Sequence, residues 1–301
     1  MDITVTGLRV LREVAERGTF TAAATALGYT QSAVSRQVAG LERAAGSALF
    51  ERRRDGVRLT AAGLALLGHA AVALDALDAA ERELRGLAAA GGVVRLGMFI
   101  SAGAVLVPRA LAALRRARPD VVVTTREGTT PGLVRSLRAG TLDLAVLSSR
   151  PPFRPPDDEA PPLELAPLAE STLLLAVPEG SPLAAHDAVP VEDLAEQVWI
   201  ASPDSGAEPL LGVWPGLAGR PRVAHTARDW LAKLRLVAAG CGVTTVPASL
   251  AAAVPPGVRL LSVRGGPEER RRLVLARPPG EPTPAARELA RALHRSASEI
   301  L

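Results

Sequence analysis

Over the first third of the chain, apolar side chains recur at three- and four-residue steps. Leu8, Leu11, Val14 and Ala15 trace one face of a helix that Gly18 ends. Thr19 is placed to cap a second helix over residues 20–27, whose Ala22, Ala23 and Ala24 are small enough for another helix to approach closely. Gly28 and Tyr29 interrupt the pattern. Thr30 then caps a third helix, from residue 31 to about 45, with Ala33, Val34, Val38 and Leu41 on one side and Gln31, Ser32, Ser35 and Arg36 on the other. Two short helices joined by a tight, glycine-containing turn make a helix-turn-helix, whose second helix presents polar side chains to base edges. Beyond it, Leu49 and Phe50 anchor the chain to the core. Residues 52–59 read as a short two-stranded ribbon with Asp55 and Gly56 at its tip, which completes a winged helix.

From Thr60, a plausible cap, a long helix is expected to run to about residue 87. Leu67, Leu74 and Glu81 repeat every seven residues, as do Ala70, Leu77 and Leu84. Such a helix either packs on its own domain or offers a coiled-coil seam, which Glu81 weakens. Composition then changes near Gly91 and Gly92: proline is absent before Pro108 and frequent after it. Strands are expected over residues 93–96, 121–125 and 142–147, with helices over 104–118 and 131–139 between them. A proline-rich stretch, 151–162, leads to further strands over 172–177, 198–201, 222–226, 243–247 and 273–276, with helices over 229–239 and 284–294. Alternating strands and helices point to an α/β fold with mostly parallel strands, in two lobes, the last strand and helix returning to the first.

The run from Phe20 through Ala23, Ala24 and Leu27, then residues 30–37, Leu41, Glu42, Gly46, Leu49, Phe50, Arg52 and residues 59–63, closely resembles the DNA-binding domain of LysR-type transcriptional regulators. Residues 140–145 and 240–247 resemble, more loosely, the effector domain of that family. The implied fold is an N-terminal winged helix-turn-helix, mostly α, with a long linker helix, followed by a two-lobed, periplasmic-binding-protein-like α/β domain. The expected divisions are residues 1–60 for DNA binding, 61–91 for a dimerising linker helix, and 92–301 for effector binding. The resemblance further implies a sequence-specific regulator that binds double-stranded promoter or operator DNA. It would be a homodimer, extending to a homotetramer, with RNA polymerase as a further partner and a small-molecule effector between the lobes.

Within that frame the residue chemistry assigns roles. Arg36 can donate two hydrogen bonds to guanine and Gln31 can pair with adenine, while Ser32 and Ser35 suit phosphate or water-mediated contacts. Arg52, Arg53, Arg54 and Arg58 form a wing patch for backbone phosphates or the minor groove. Effector candidates are hydroxyls at strand ends and helix starts: Ser101, Thr129, Thr130, Ser202 and Thr226. Each could equally be an ordinary cap, and no arginine is fixed by a motif to clamp an acid. The effector's identity does not follow from these residues.

Charge adds little. A formal +4 over 301 residues is weak, and the chain holds a single lysine, Lys233, among arginines. One cysteine, Cys241, excludes an internal disulfide; between two glycines it reads as a small buried residue in a turn. His69, His186, His225 and His294 lack metal-type spacing, and no nucleophile elbow or phosphate loop argues for catalysis, so neither a metal nor a cofactor is expected. The N-terminus lacks a signal-peptide core, and residues 93–107 fall short of the roughly 20 needed to cross a bilayer, so a cytoplasmic protein without membrane contact is expected.

Overall fold

The computed structural model describes residues 3–53, 56–84, 91–150, 153–203, 211–217, 219–265 and 270–300. At the N-terminus stand α1 (Val5–Arg17), α2 (Phe20–Leu27) and α3 (Gln31–Ala45), each with a threonine cap that the sequence positions for it. Thr4, Thr19 and Thr30 side chains accept from the N–H groups of Gly7, Ala22 and Ala33. Gly28 ends α2 in the left-handed region at φ 68°, which a β-carbon would strain, and this permits the sharp turn into α3. Val10, Val14, Ala23, Ala24, Val34 and Val38 make one core, closed by Phe20 and Phe50, whose rings meet edge to face at 6.0 Å. Strands β1 (Phe50–Arg53) and β2 (Gly56–Leu59) form the antiparallel wing, pinned to the end of α1 by the Val57 N–H donating to the Gly18 carbonyl at 2.9 Å.

Helix α4 (Ala61–Leu84) comes next, 24 residues or about 36 Å long. Thr60 caps it, and its first turn lies so close to the wing that a β-carbon on Gly63 would stand 2.1 Å from the Leu49 carbonyl oxygen. Gly63→Ala is therefore expected to destabilise the N-terminal domain by about 1–3 kcal/mol, read as a lowered unfolding temperature; an unchanged one would contradict the close approach.

Leu67, Ala70 and Leu74 of α4 are fully buried, the first two against Leu11, Leu41, Leu49 and Ala139. The heptad rows expected as an external seam are thus partly consumed within the chain. What α4 leaves outward is another face, Ala65, Gly68, Val72, Ala76 and Ala80, with Leu77 beside it; Val72 is 72% exposed. The stretch Ala61–Asp78 is also long and apolar enough, by length and hydropathy alone, to cross a membrane, contrary to the reading from 93–107. The reason is visible in the residues: one side of α4 packs on its own chain and the other is built of small apolar side chains. Two of its acidic side chains are tied down, Asp78 to Arg9 and Arg12, Asp75 to Arg12 and Arg95.

The remainder is α/β. β3 (Val93–Met98), β4 (Val122–Glu127) and β5 (Leu144–Ser149) pair in parallel, alternating with α5 (Ile100–Ala104), α6 (Leu106–Ala117) and α7 (Thr130–Arg138). The helix expected over 104–118 is α6, and the short α5 before it, separated from it by Val105, went unread. The 15-residue β6 (Glu164–Pro178) runs from one lobe into the other. Its first half pairs with β12 (Arg270–Arg277) and its second with β10 (Thr244–Pro247) and β11 (Val258–Arg264). These pairings are antiparallel, as is β12 with β5, so the sheet is mixed and not mostly parallel. Periodicity alone cannot give strand direction, and β11 with the short β7 (Ala188–Pro190) went unread. The second lobe adds the parallel pair β8 (Val198–Ala201) and β9 (Arg222–Thr226) and helix α8 (Trp230–Ala238). Helix α9 (Pro284–Ile300) returns to pack on α6 in the first lobe, as expected.

Candidate DNA-binding surface and effector cleft

On α3 the local sequence divides inside from outside. Val34, Val38 and Leu41 are buried, while Gln31, Ser32 and Arg36 are exposed and Ser35 is half-buried. Ser32 and Arg36 stand four apart, as do Gln31 and Ser35, so they share one side of the first turns. The Ser32 and Thr30 hydroxyls lie 3.1 Å apart, which leaves the Thr30 cap and Ser32 in one polar rim. Arg36 forms no hydrogen bond or ion pair among the described residues.

The wing arginines part company. Arg52 and Arg53 are exposed on β1, and Arg53 donates to Glu51 at 2.6 Å. Arg58, on β2, points to the first lobe instead and donates to Asp158 at 2.8 Å. Arg54 lies outside the described residues.

The five hydroxyl candidates scatter more. Thr130 lines a cleft of about 670 Å³ at the carboxyl end of β5, with Ser148, Ser149, Arg150, Glu170 and Arg272. Phe153 lies in the same wall, the Arg272 guanidinium 4.1 Å from its ring centre. Thr129 is exposed and caps α7, accepting from the Gly132 N–H at 3.4 Å. Ser101 is 8% exposed within α5, and Thr226 ends β9 exposed. Ser202, just past β8, accepts a hydrogen bond from Lys233 Nζ at 2.7 Å. Sequence reading passed over Lys233 as a compositional oddity; being the only lysine was the signal. Cys241 is half-buried in its turn, more open than expected, because the α8 to β10 turn lies at the surface.

Helix α7 touches both halves. Thr129 and Thr130 open it beside the cleft, and further along the Ser136 hydroxyl donates to Glu16 Oε1 at 3.1 Å and Arg135 Nε to the Glu16 carbonyl oxygen at 3.1 Å. Arg126 also pairs with the Glu16 carboxylate, which is 8% exposed. A second tie runs through Arg95, which donates to both Asp75 of α4 and Asp143, and those carboxylates hold its pKa above the usual guanidinium value against the opposing effect of burial.

Comparison with known proteins matches both halves. Residues 5–64 fit the family described as bacterial regulatory helix-turn-helix protein, lysR family, and residues 88–298 fit the LysR substrate binding domain. A probable hydrogen peroxide-inducible genes activator of Mycobacterium avium is 32% identical over 255 residues, 82% of this chain and 78% of that protein. The transcriptional regulator AlsR of Bacillus subtilis is 30% identical over 255 residues, 78% of each. Among solved structures, full-length CbnR complexed with its target DNA is 26% identical and covers 98% of this chain and 100% of its own, at a TM-score of 0.56. With a helix-turn-helix in front, a two-lobed domain behind, and relatives that match across both, the chain belongs to the LysR family: it is a DNA-binding transcriptional regulator with an effector-binding domain, and not an enzyme.

Proposed function

We propose that two copies of this chain, joined along the outward face of α4, set two α3 helices into successive major grooves of an operator, and that a small molecule between the lobes governs the outcome. The observation that carries the DNA reading is the split on α3: Gln31, Ser32 and Arg36 face solvent directly opposite a buried Val34, Val38 and Leu41. Ser35, at the rim, takes a phosphate or water. Arg36 takes a guanine edge and Gln31 an adenine edge, while Arg52, Arg53 and Arg54 of the wing neutralise phosphates.

The small apolar face of α4 supports the pairing, since Gly68, Ala65 and Ala76 allow a second helix to approach closely and cover Val72. Two such dimers give a tetramer. Bound beside a promoter in the bacterial cytoplasm, the assembly acts on RNA polymerase. For the effector, the proposed contacts are Thr129 and Thr130 of the first lobe with Ser101, and Ser202 and Thr226 of the second. Any ligand that moves the start of α7 pulls on Glu16 of α1 through Arg135 and Ser136, which is a direct mechanical route from cleft to DNA-binding domain. An internal disulfide cannot carry a signal in this chain, because one cysteine cannot form one.

The test is fluorescence anisotropy of the full chain with the intergenic duplex beside its own gene, at several salt concentrations. Specific binding is expected, and Arg53→Ala should weaken binding to every sequence alike and lower the slope of log affinity against log salt by about one. An equal slope in the variant would remove Arg53 from the phosphate contacts, and binding no tighter than to scrambled DNA would remove the proposal.

A further inference from the structure

The chain's single lysine is among its most buried side chains. Lys233 is 1% exposed on α8, whereas among the described residues no arginine is buried. Its ammonium donates to Ser202 Oγ at 2.7 Å and stands 4.7 Å from the centre of the Trp230 ring. Among the described residues no carboxylate forms an ion pair with it, and burial alone draws its pKa down to about 8.

Its place is at the meeting of the lobes. Ile200 and Leu234, neighbours in sequence of the Ser202 loop and of Lys233 itself, pack in one cluster with Val105 of the first lobe. A protonated amine there has three N–H donors and, among the described residues, a single oxygen partner, Ser202. An unpaired charge in such a position is costly, and the cost is recovered when an anion arrives with acceptor oxygens. Arginine, the chain's choice elsewhere, cannot shed its proton to survive the empty state; an amine can.

We propose that Lys233 and Ser202 form the anion subsite of the inter-lobe site, and that the effector is a small carboxylic acid bound as its carboxylate. This rests on the reading that the effector lies between the lobes. One carboxylate oxygen accepts from the Lys233 ammonium, while the Ser202 hydroxyl, which now only accepts from that ammonium, turns to donate to the other.

A single lysine makes the test clean, since labelling the full chain with 13C at lysine Cε gives one side-chain resonance. Its pH titration is followed with acetate, benzoate and succinate, and with the corresponding amides, in the wild type and Lys233→Met, while lobe closure is followed by small-angle scattering. The acids, and not the amides, are expected to raise the titration midpoint above its ligand-free value, and the most effective acid should bind Lys233→Met at least about tenfold more weakly. A resonance unmoved by every acid, or an acid that binds both proteins equally, overturns the subsite. If that acid still closes the lobes of both proteins, the inter-lobe reading stands without it; if acids move the lysine but never the lobes, the subsite stands and the inter-lobe reading fails.

Discussion

Replacing Arg36 by alanine is expected to lose about tenfold to a hundredfold of the preference for operator over scrambled duplex, corresponding to ~1–3 kcal/mol for one bidentate base contact. The fold should not change. Arg36 is exposed, forms no hydrogen bond or ion pair among the described residues, and lies outside the core that Val34, Val38 and Leu41 complete. Arg36→Lys separates two contributions: it keeps the positive charge but not the planar fork, so binding to scrambled DNA should persist while discrimination falls. Anisotropy on the two duplexes measures both. An unchanged affinity ratio in Arg36→Ala would mean that α3 is read through other side chains.

Lys233→Met should stabilise the protein, an uncommon direction for a buried substitution. In the folded chain the ammonium titrates at about 8, against 10.5 for a free lysine. Below the lower value both states hold the proton and the buried charge opposes folding in full. Between the two the unfolded chain holds more protons than the folded one, so wild-type stability rises with pH; above the upper value the opposition has gone. The gap corresponds to about 3 kcal/mol, and the lost Ser202 hydrogen bond returns roughly 1 of it. At neutral pH the variant should therefore unfold several degrees higher, at about 2–4 °C per kcal/mol for a domain of this size. The advantage should fade as pH rises from 8 to 10.5. Calorimetry across that range decides the matter: a variant less stable at neutral pH would show that Lys233 is already balanced by an anion of the chain.

How far the residues themselves disclosed this can be judged element by element. α1 to α3 and the wing follow from local chemistry: threonine caps, glycine stops and a three- and four-residue apolar step act within a few positions, and their order carried the family resemblance. The mixed sheet was not legible, because β6 pairs with β12, β10 and β11, partners far along the chain, and alternation of side chains is the same for either strand direction. Helix α4 was read in kind but not in facing. The seven-residue rows are present, yet the winged helix takes Leu67 and Ala70 for its own core, and which side remains outward depends on that packing. At the candidate effector site the hydroxyls were found by their positions before helices, which is also where caps occur, and Thr129 indeed serves as one. Lys233 was hidden because burial of a charge is a property of the assembled lobes.

The central claim, that α3 of a two-fold assembly reads DNA sequence, is tested most directly by selecting binding sites from a random duplex library with the full chain and with Arg36→Ala. The wild type is expected to enrich an interrupted inverted repeat, its half-sites spaced by about 10–10.5 base pairs or a multiple of that, and Arg36→Ala to lose a fixed guanine from each half. A wild-type pool no different from the starting library would contradict it, leaving a surface that holds phosphates without reading bases.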